Sequence, residues 1–424
     1  MNRRIGKVGL ALVLALILVV AMEFFGGEVL AQTKVKKLKV AITQDLSGPL
    51  ASIGRHGMNG FKDYFEWLNT MKGGIDGVEV EVLWADDKYN MAMAMESYKR
   101  FAEQGALSFC ISSSVLLVQL KETAERDKVV IVGWCENDYA VYPPGWSWGT
   151  TPAYGDTTSC LIDWIMKNRW NKPRPPKITI LGMDSDFGHS PEKLAFPYLK
   201  AKWGVQFGKF QVVAPNAVDA TKQLLAAKEE GTDIILEFNS PPGAVTVAKD
   251  RQKLGLQDIV MCSPWGTPAT DPRFQQQVGE AAEGYLSTYT FAVPWNPAMK
   301  LPGMGMETCV EFQKKKRSEV SDTPFYYVAW VTGHALAEGM RSALKEKEYP
   351  ITGVDLYQAL QKLDVDGMGI VKRLKPAPGR RAFSQITMIT EIKGGKHVPM
   401  GDWVEVPDTV GWALMNQPDL LKKK

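Results

Sequence analysis

Apolar residues recur along this chain in two periods that alternate, and the alternation defines a fold class. Lys37 to Thr43 is a short apolar run of strand type. From Ile53 the period lengthens. Phe61, Phe65 and Leu68 share one face and Lys62, Asp63, Glu66 and Asn69 fall mostly off it, which predicts a helix. Gly73-Gly74 stops that helix. Val78, Val80 and Val82 then alternate with Glu79 and Glu81, the period of a strand, closing at Asp86-Asp87. One complete βαβ unit is therefore legible between Leu38 and Asp87.

The same alternation continues. Met91–Gln104 reads as helix, Leu107–Ile111 as a strand ending in Ser112-Ser113-Ser114, and Val115–Arg126 as helix. Val129–Gly133 is a strand ending in Trp134-Cys135-Glu136-Asn137-Asp138. The Pro- and Gly-rich run from Tyr142 to Pro152 suits neither a regular helix nor a central strand, and reads as a loop into a crossover. A second set follows, with strands at Lys177–Leu181, Val205–Ala214, Asp233–Phe238 and Ile259–Cys262. Its helices are Asp156–Trp170, Pro191–Lys202 with a break near Pro197, Ala220–Glu229 and Pro241–Leu254. Glu283–Phe291 is extended, Cys309–Ser318, Pro324–Lys345 and Gly353–Leu363 are helical, and Ser384–Ile392 and Lys396–Val404 are strands around Gly394-Gly395. Beyond Pro407 the chain reads as a tail or strap. The pattern predicts an α/β protein of two doubly wound lobes.

In open α/β sheets ligands bind at the carboxyl ends of the strands. Gln44–Ser52, Asp86–Asn90, Ser112–Ser114 and Trp134–Asp138 thus form a candidate rim on the first lobe. Phe187, Phe238, Asn239, Ser240, Trp265 and Tyr154 form one on the second. Serine hydroxyls at a helix start suit a carboxylate, and aromatic walls supply apolar contact. Gly54, Gly57 and Gly60 are spaced GxxGxxG inside a helix, which is no dinucleotide fingerprint; they read as close packing.

Composition narrows the function. A chain of 424 residues with 45% hydrophobic and 23% charged residues can bury two cores, and a formal charge of +3 gives no basic face for nucleic acid. Arg3, Arg4 and Lys7 precede an apolar run from Val8 to Met22 and the small-residue site Val29-Leu30-Ala31, the pattern of a signal peptide spanning residues 1–31. The first cysteine is Cys110, so no lipid anchor is expected at the cleavage site. Cleavage removes three basic and two acidic residues, and the product is expected to be exported and soluble. Cys110 and Cys135 fall on successive strands, whose register allows a disulfide; Cys160, Cys262 and Cys309 read as buried small hydrophobes.

Enzyme machinery is sparse. The four histidines, His56, His189, His334 and His397, show no zinc spacing, and neither a nucleophile elbow nor a phosphate loop is present. Asp184-Ser185-Asp186-Phe187-Gly188-His189 is the one catalytic-looking cluster, but it lies where Asp and Ser serve as helix caps. No cofactor and no metal is expected.

Taken together, Ser47-Gly48, Gly54, the helix ending in Asn69, Gly73-Gly74-Ile75-Asp76-Gly77 and Asp86-Asp87 resemble the start of the periplasmic leucine/isoleucine/valine-binding protein family, type I solute receptors of ABC importers. The serine run, Phe187-Gly188, Ala281-Ala282-Glu283-Gly284 and the Tyr326–Leu344 helix extend the resemblance over about residues 36–406. It implies lobe 1 at 36–150 plus 291–370, lobe 2 at 153–287 plus 378–406, a tail at 407–424, and three crossovers near 151–153, 285–291 and 368–380. It implies a ligand carboxylate at Ser112, Ser113 or Ser114, polar ligand atoms at Cys135, Glu136 and Asn137, and Phe187 as cover. Asn239 or Ser240 falls at a further ligand-facing position, and Trp134 and Trp265 stand on the rims. The family's acid for a ligand ammonium is missing from Ser263-Pro264-Trp265-Gly266-Thr267, so an aromatic or aliphatic carboxylate or an amide fits the tryptophan-rich rim at least as well as an α-amino acid, unless Glu136 or Asp138 substitutes for that acid. The family's first-lobe disulfide is also not matched, since no cysteine follows Asp86-Asp87. The implied partners are a small solute, an inner-membrane ABC permease and its ATPase subunits, with the protein a periplasmic monomer. A sensor subunit using the same cleft, or an exported hydrolase using Asp184, Asp186 and His189, are the alternatives.

Overall fold

The computed structural model describes residues 36–134, 137–264, 272–317, 320–377 and 379–421. The expected signal segment, Cys135, Glu136 and Trp265 lie outside these, and with Cys135 the disulfide to Cys110 that the sequence leaves open. In chain order the first lobe runs β1 (Lys37–Gln44), α1 (Ala51–Lys72), β2 (Glu79–Asp86), α2 (Met91–Glu103), β3 (Ser108–Ile111), α3 (Ser114–Asp127), β4 (Val130–Gly133), α4 (Asp138–Val141) and β5 (Ser147–Gly149). The second opens with α5 (Tyr154–Asn168), β6 (Lys177–Gly182), α6 (Ser190–Lys193), α7 (Ala195–Trp203), β7 (Gln206–Phe207) and β8 (Gln211–Val212). It continues with α8 (Thr221–Glu229), β9 (Ile234–Phe238), α9 (Pro241–Lys253), β10 (Val260–Ser263), α10 (Pro272–Val278) and β11 (Leu286–Tyr289). The chain then returns through α11 (Gly305–Lys316), α12 (Pro324–Glu346), α13 (Gly353–Gln361), β12 (Val365–Asp366) and β13 (Arg373–Leu374). It crosses a third time to β14 (Ile386–Lys393), β15 (Lys396–Pro399), β16 (Val404–Glu405) and α14 (Thr409–Asn416).

Among the described residues the first sheet has five strands in the order β2-β1-β3-β4-β5, with β1, β3, β4 and β5 parallel. The second has nine, built on the order β15-β14-β11-β10-β9-β6-β7. There β6 to β11 are parallel and β14 closes the sheet antiparallel to β11. Both sheets belong to one unit, Leu38–Lys424. The non-sequential orders put crossover helices on the sheet faces, as parallel pairing requires. Alternate residues of β9 serve different cores: Ile234, Leu236 and Phe238 pack with α5 and α7, Ile235 with α8, α9 and α10.

α1 shows how the sequence makes an element and seats it. Its C-cap Gly73 is left-handed at φ 71° and donates its N–H to the Leu68 carbonyl. The Asn69 amide then bonds both the N–H and the carbonyl of Val80, fixing the helix end to β2. The buried face Phe61, Phe65 and Leu68 lies in the core shared with α12. The glycine stripe does pack closely. A Cβ on Gly54 would lie 1.9 Å from the Asp45 carbonyl oxygen, one on Gly57 1.9 Å from the Trp134 ring, and one on Gly60 2.1 Å from the Tyr326 carbonyl oxygen. Gly60→Ala should therefore force α1 away from α12 and cost about 1–3 kcal/mol. An unchanged melting temperature would show that the helices have slack the geometry does not display.

Several expectations are corrected. Asp63, placed off the buried face, is 0% exposed and ion-paired to Arg317 and Lys316. The Tyr142–Pro152 run contains a strand, β5, which pairs with β4 on one side and bridges Ala382 on the other. The single strand expected at Val205–Ala214 is two short pieces beside β6, separated where the Gly208 N–H bonds the Ile178 carbonyl. The helix expected at Pro191–Lys202 breaks at Leu194, one residue past the carbonyl that Pro197 cannot bond. Beyond Pro407 the chain forms α14, which joins Leu194 in a small cluster with Tyr142, Leu420 and Leu421. Thr409 donates its N–H and Oγ1 to the buried Asp156 of α5 at 3.1 and 2.6 Å. Arg380 holds Asp156, Asp408 and the Pro407 carbonyl at once. No helix among the described residues is long and apolar enough to cross a membrane.

Candidate ligand-binding cleft

The carboxyl ends of β1, β3 and β4 face those of β6 and β9 across a cleft of about 840 Å³, part of it open to solvent. Ser112, Ser113 and Ser114 enter it from the first lobe at the N-terminus of α3. Ser113 is the cap: its Oγ accepts from the Leu116 N–H at 3.3 Å, which leaves Ser112, before the cap, and the first-turn amides. Trp134 lines the same wall, its ring tilted on Phe325 of α12 at 5.8 Å and seated on Gly57.

The opposite wall is aromatic and amide-bearing. Phe187 packs edge-on to Tyr154 at 5.4 Å and tilted on Phe238 at 5.3 Å. The Asn239 amide donates to the Val213 carbonyl at 2.9 Å and accepts the Ser240 N–H at 2.8 Å, so its orientation is fixed from below. Ser240 donates to the Pro215 carbonyl and precedes Pro241, the first residue of α9. Each lobe thus presents the N-terminus of a long helix at the cleft, an arrangement that favours negative charge.

The structure brings Ser112, Ser113, Ser114, Trp134, Phe187, Asn239 and Ser240 to one space. Asn137 is elsewhere: it caps α4 through the Ala140 N–H and donates across the lobes to the Asp186 carbonyl at 3.2 Å. Its contribution is to hold the lobes together on one flank. Asp138, expected as a substitute acid, is buried away from the cleft lining. Burial, reinforced by Asp156, pushes its carboxyl well above the usual range. Glu136, Cys135 and Trp265 lie outside the described residues. Asp45, Tyr89 and Met183 also line the cleft, as do Phe291, Phe325 and Val328. Asp45 and Tyr89 sit on rim segments that strand ends predict; Phe325 and Val328 arrive on a helix whose docking no local pattern reveals.

Of the Asp184–His189 cluster only Phe187 lines the cleft; Asp184, Asp186 and His189 lie outside the lining. His189 bonds Asp184 through Nε2 and Glu192 through Nδ1, both at 3.0 Å, and stacks on Phe210 at 4.0 Å. Burial pulls the imidazole pKa down, but the bonds to Glu192 and Asp184 outweigh it and the net shift is upward. Both nitrogens are engaged by carboxylates, the geometry of a surface brace rather than of a base aimed at a substrate. Among the described residues no three His, Cys, Asp or Glu side chains gather as a metal site.

Two facing α/β lobes around such a cleft define a two-lobed binding protein. The periplasmic binding protein family profile matches residues 37–396, and the chain belongs to that family. Solved structures share the fold over nearly its whole length. A branched-chain amino acid ABC transporter protein of Thermus thermophilus with bound valine is 19% identical, covering 90% of this chain and 99% of its own, with a TM-score of 0.78. A fatty acid ABC transporter substrate-binding protein of Thermomonospora curvata is 19% identical, covering 89% and 94%, at 0.70. An ABC transporter solute-binding protein of R. palustris in complex with 4-hydroxybenzoate is 17% identical, covering 90% and 100%, at 0.72. No curated protein matches the sequence.

Proposed function

We propose that this protein is an exported, periplasmic solute receptor. It captures a small carboxylate, amino acid or amide between its lobes and delivers it to an inner-membrane ABC permease and its ATPase subunits, acting as a monomer. The observation that carries the reading is the placing of Ser112–Ser114 at the α3 N-terminus against Tyr154 and Phe187 on the other lobe. Hydroxyl and amide donors at one wall suit a carboxylate, and aromatic rings at the other suit an apolar body and exclude water. Valine, a fatty acid and 4-hydroxybenzoate, the solutes named for the three similar structures, share that chemistry. Closure of the lobes about the crossovers would bury the solute and present one closed shape to the permease.

A thermal-shift screen of the mature protein against amino acids, aliphatic acids, aromatic acids and amides tests this, since a ligand of the native state alone raises the melting temperature. Ser112→Ala should weaken binding of the best ligand about tenfold or more, the worth of a hydrogen bond to a charged group. Phe187→Ala should weaken it comparably, and Ser112→Ala should not move the melting temperature of the ligand-free protein by more than about 2 °C. Normal affinity in both variants would remove this cleft as the binding site.

A further inference from the structure

The first-lobe wall of the cleft carries two kinds of group. Ser112–Ser114 and the first-turn amides of α3 are donors, and Trp134, only 4% exposed, has an indole N–H with no acceptor among the described residues. Asp45 follows β1, the strand paired in parallel with β3, and is the one carboxylate among the described lining residues, with no Lys, Arg or His in that lining.

Asp45 is built in place. It is 3% exposed, and its two oxygens accept the N–H groups of Gly48 at 2.5 Å and Leu50 at 2.7 Å. The turn is drawn tight around it: a Cβ on Gly48 would lie 2.8 Å from its carboxylate. Its acidic neighbours are committed elsewhere. Asp86 accepts the Leu46 N–H, the Ser47 hydroxyl and the Lys88 N–H. Asp87 accepts the Thr43 hydroxyl and the Tyr89 N–H. Among the described residues Asp45 forms no ion pair. Two backbone amides offset part of the cost of burying a carboxylate; a counter-charge would offset more. Each oxygen holds a single hydrogen bond and keeps acceptor capacity.

We propose that Asp45 sets the specificity of the cleft by receiving the ammonium group of a solute whose carboxylate lies at the α3 N-terminus. The inference rests on the solute-receptor reading and narrows it to amino acids. The charge complement comes from the turn after β1, a position separate from the Ser263–Thr267 segment where no acid stands.

Matched pairs that differ only in the amine test it by calorimetric titration: leucine against 4-methylpentanoate, and phenylalanine against 3-phenylpropionate. The wild type should prefer the amine-bearing member of the pair that fits its apolar wall by at least tenfold. Asp45→Asn keeps the size and one acceptor of the side chain. It should reduce that preference at least tenfold by weakening the amine-bearing member, while the deaminated acid, relieved of an anion beside its carboxylate, binds no more weakly. A structural role alone would lower both members equally and leave their ratio unchanged, and that result overturns the proposal. Should the variant not fold, the wild-type ratio still decides: equal or better binding of the deaminated acid overturns it, and a tenfold amine preference supports it. Failure of every carboxylate to bind the wild type would instead defeat the solute reading and this inference with it.

Discussion

Replacing Asp63 by alanine should cost the protein about 3 kcal/mol of folding stability, more than any single change at its surface. Asp63 lies on α1 with no exposed area. It accepts both branches of the Arg317 guanidinium at 2.8 and 3.1 Å, the Tyr326 hydroxyl at 2.8 Å, and the Lys316 ammonium at 3.0 Å. One carboxylate therefore joins α1, the end of α11 and α12. Removing a partner from a buried pair costs about 3–5 kcal/mol, because the remaining charge stays unpaired in a poor solvent. The lower end applies here, since Lys316 and Arg317 each keep 31% of their side-chain area in water. Urea unfolding would measure the loss, and a value below about 1 kcal/mol would mean that water replaces the carboxylate freely. Adding Arg317→Ala to Asp63→Ala should cost less than the sum of the two, the mark of a shared interaction.

Glu237→Gln should flatten the alkaline side of the stability profile. Glu237 ends β9 fully buried, with one oxygen accepting the Tyr285 hydroxyl at 3.1 Å and the other unpartnered among the described residues. Burial raises its carboxyl to about 8; the Tyr285 bond opposes this and does not prevail. The folded state therefore holds a proton that the unfolded chain releases near pH 4.5. Stability from this group is complete below about pH 4.5 and is lost as pH rises toward 8. The loss amounts to on the order of 4 kcal/mol over that interval, and the glutamine variant escapes it. His397 acts in the opposite sense: burial lowers its imidazole to about 3, so its contribution is present above pH 6.5 and lost in acid. Melting curves of wild type and Glu237→Gln at pH 5 and pH 9 separate the terms, because His397 is common to both proteins. Equal pH slopes would show Glu237 ionised in the fold.

What the sequence made legible follows from the range of the forces involved. Helices and strands announce themselves through local period and caps: Gly73 at the end of α1 and Ser113 at the start of α3 needed no tertiary knowledge. The cleft lining follows strand ends, where open parallel sheets bind ligands, and Ser112, Trp134, Phe187 and Asn239 stand on such ends in one lining. The misses are long-range. Asp63 read as a solvent-side acid because the arginine that neutralises it lies 254 positions away. Asn137 sits on the right strand end, yet its amide is consumed by a cap and by a bond to the other lobe. Phe325 and Val328 reach the cleft only because α12 docks on α1, a pairing made by glycines whose partners the local pattern does not name.

The hydrogen bonds around Arg380 bear on where this protein ends as a folding unit. The family match stops at residue 396, but Asp408 and Thr409, beyond it, complete the network that holds Asp156 at the first crossover. Excising the chain where the family profile ends would leave Asp156 and Arg380 buried without those partners, beside the first crossover. The end of the profile and the end of the folded unit are therefore different places in this molecule, and the second includes the start of α14.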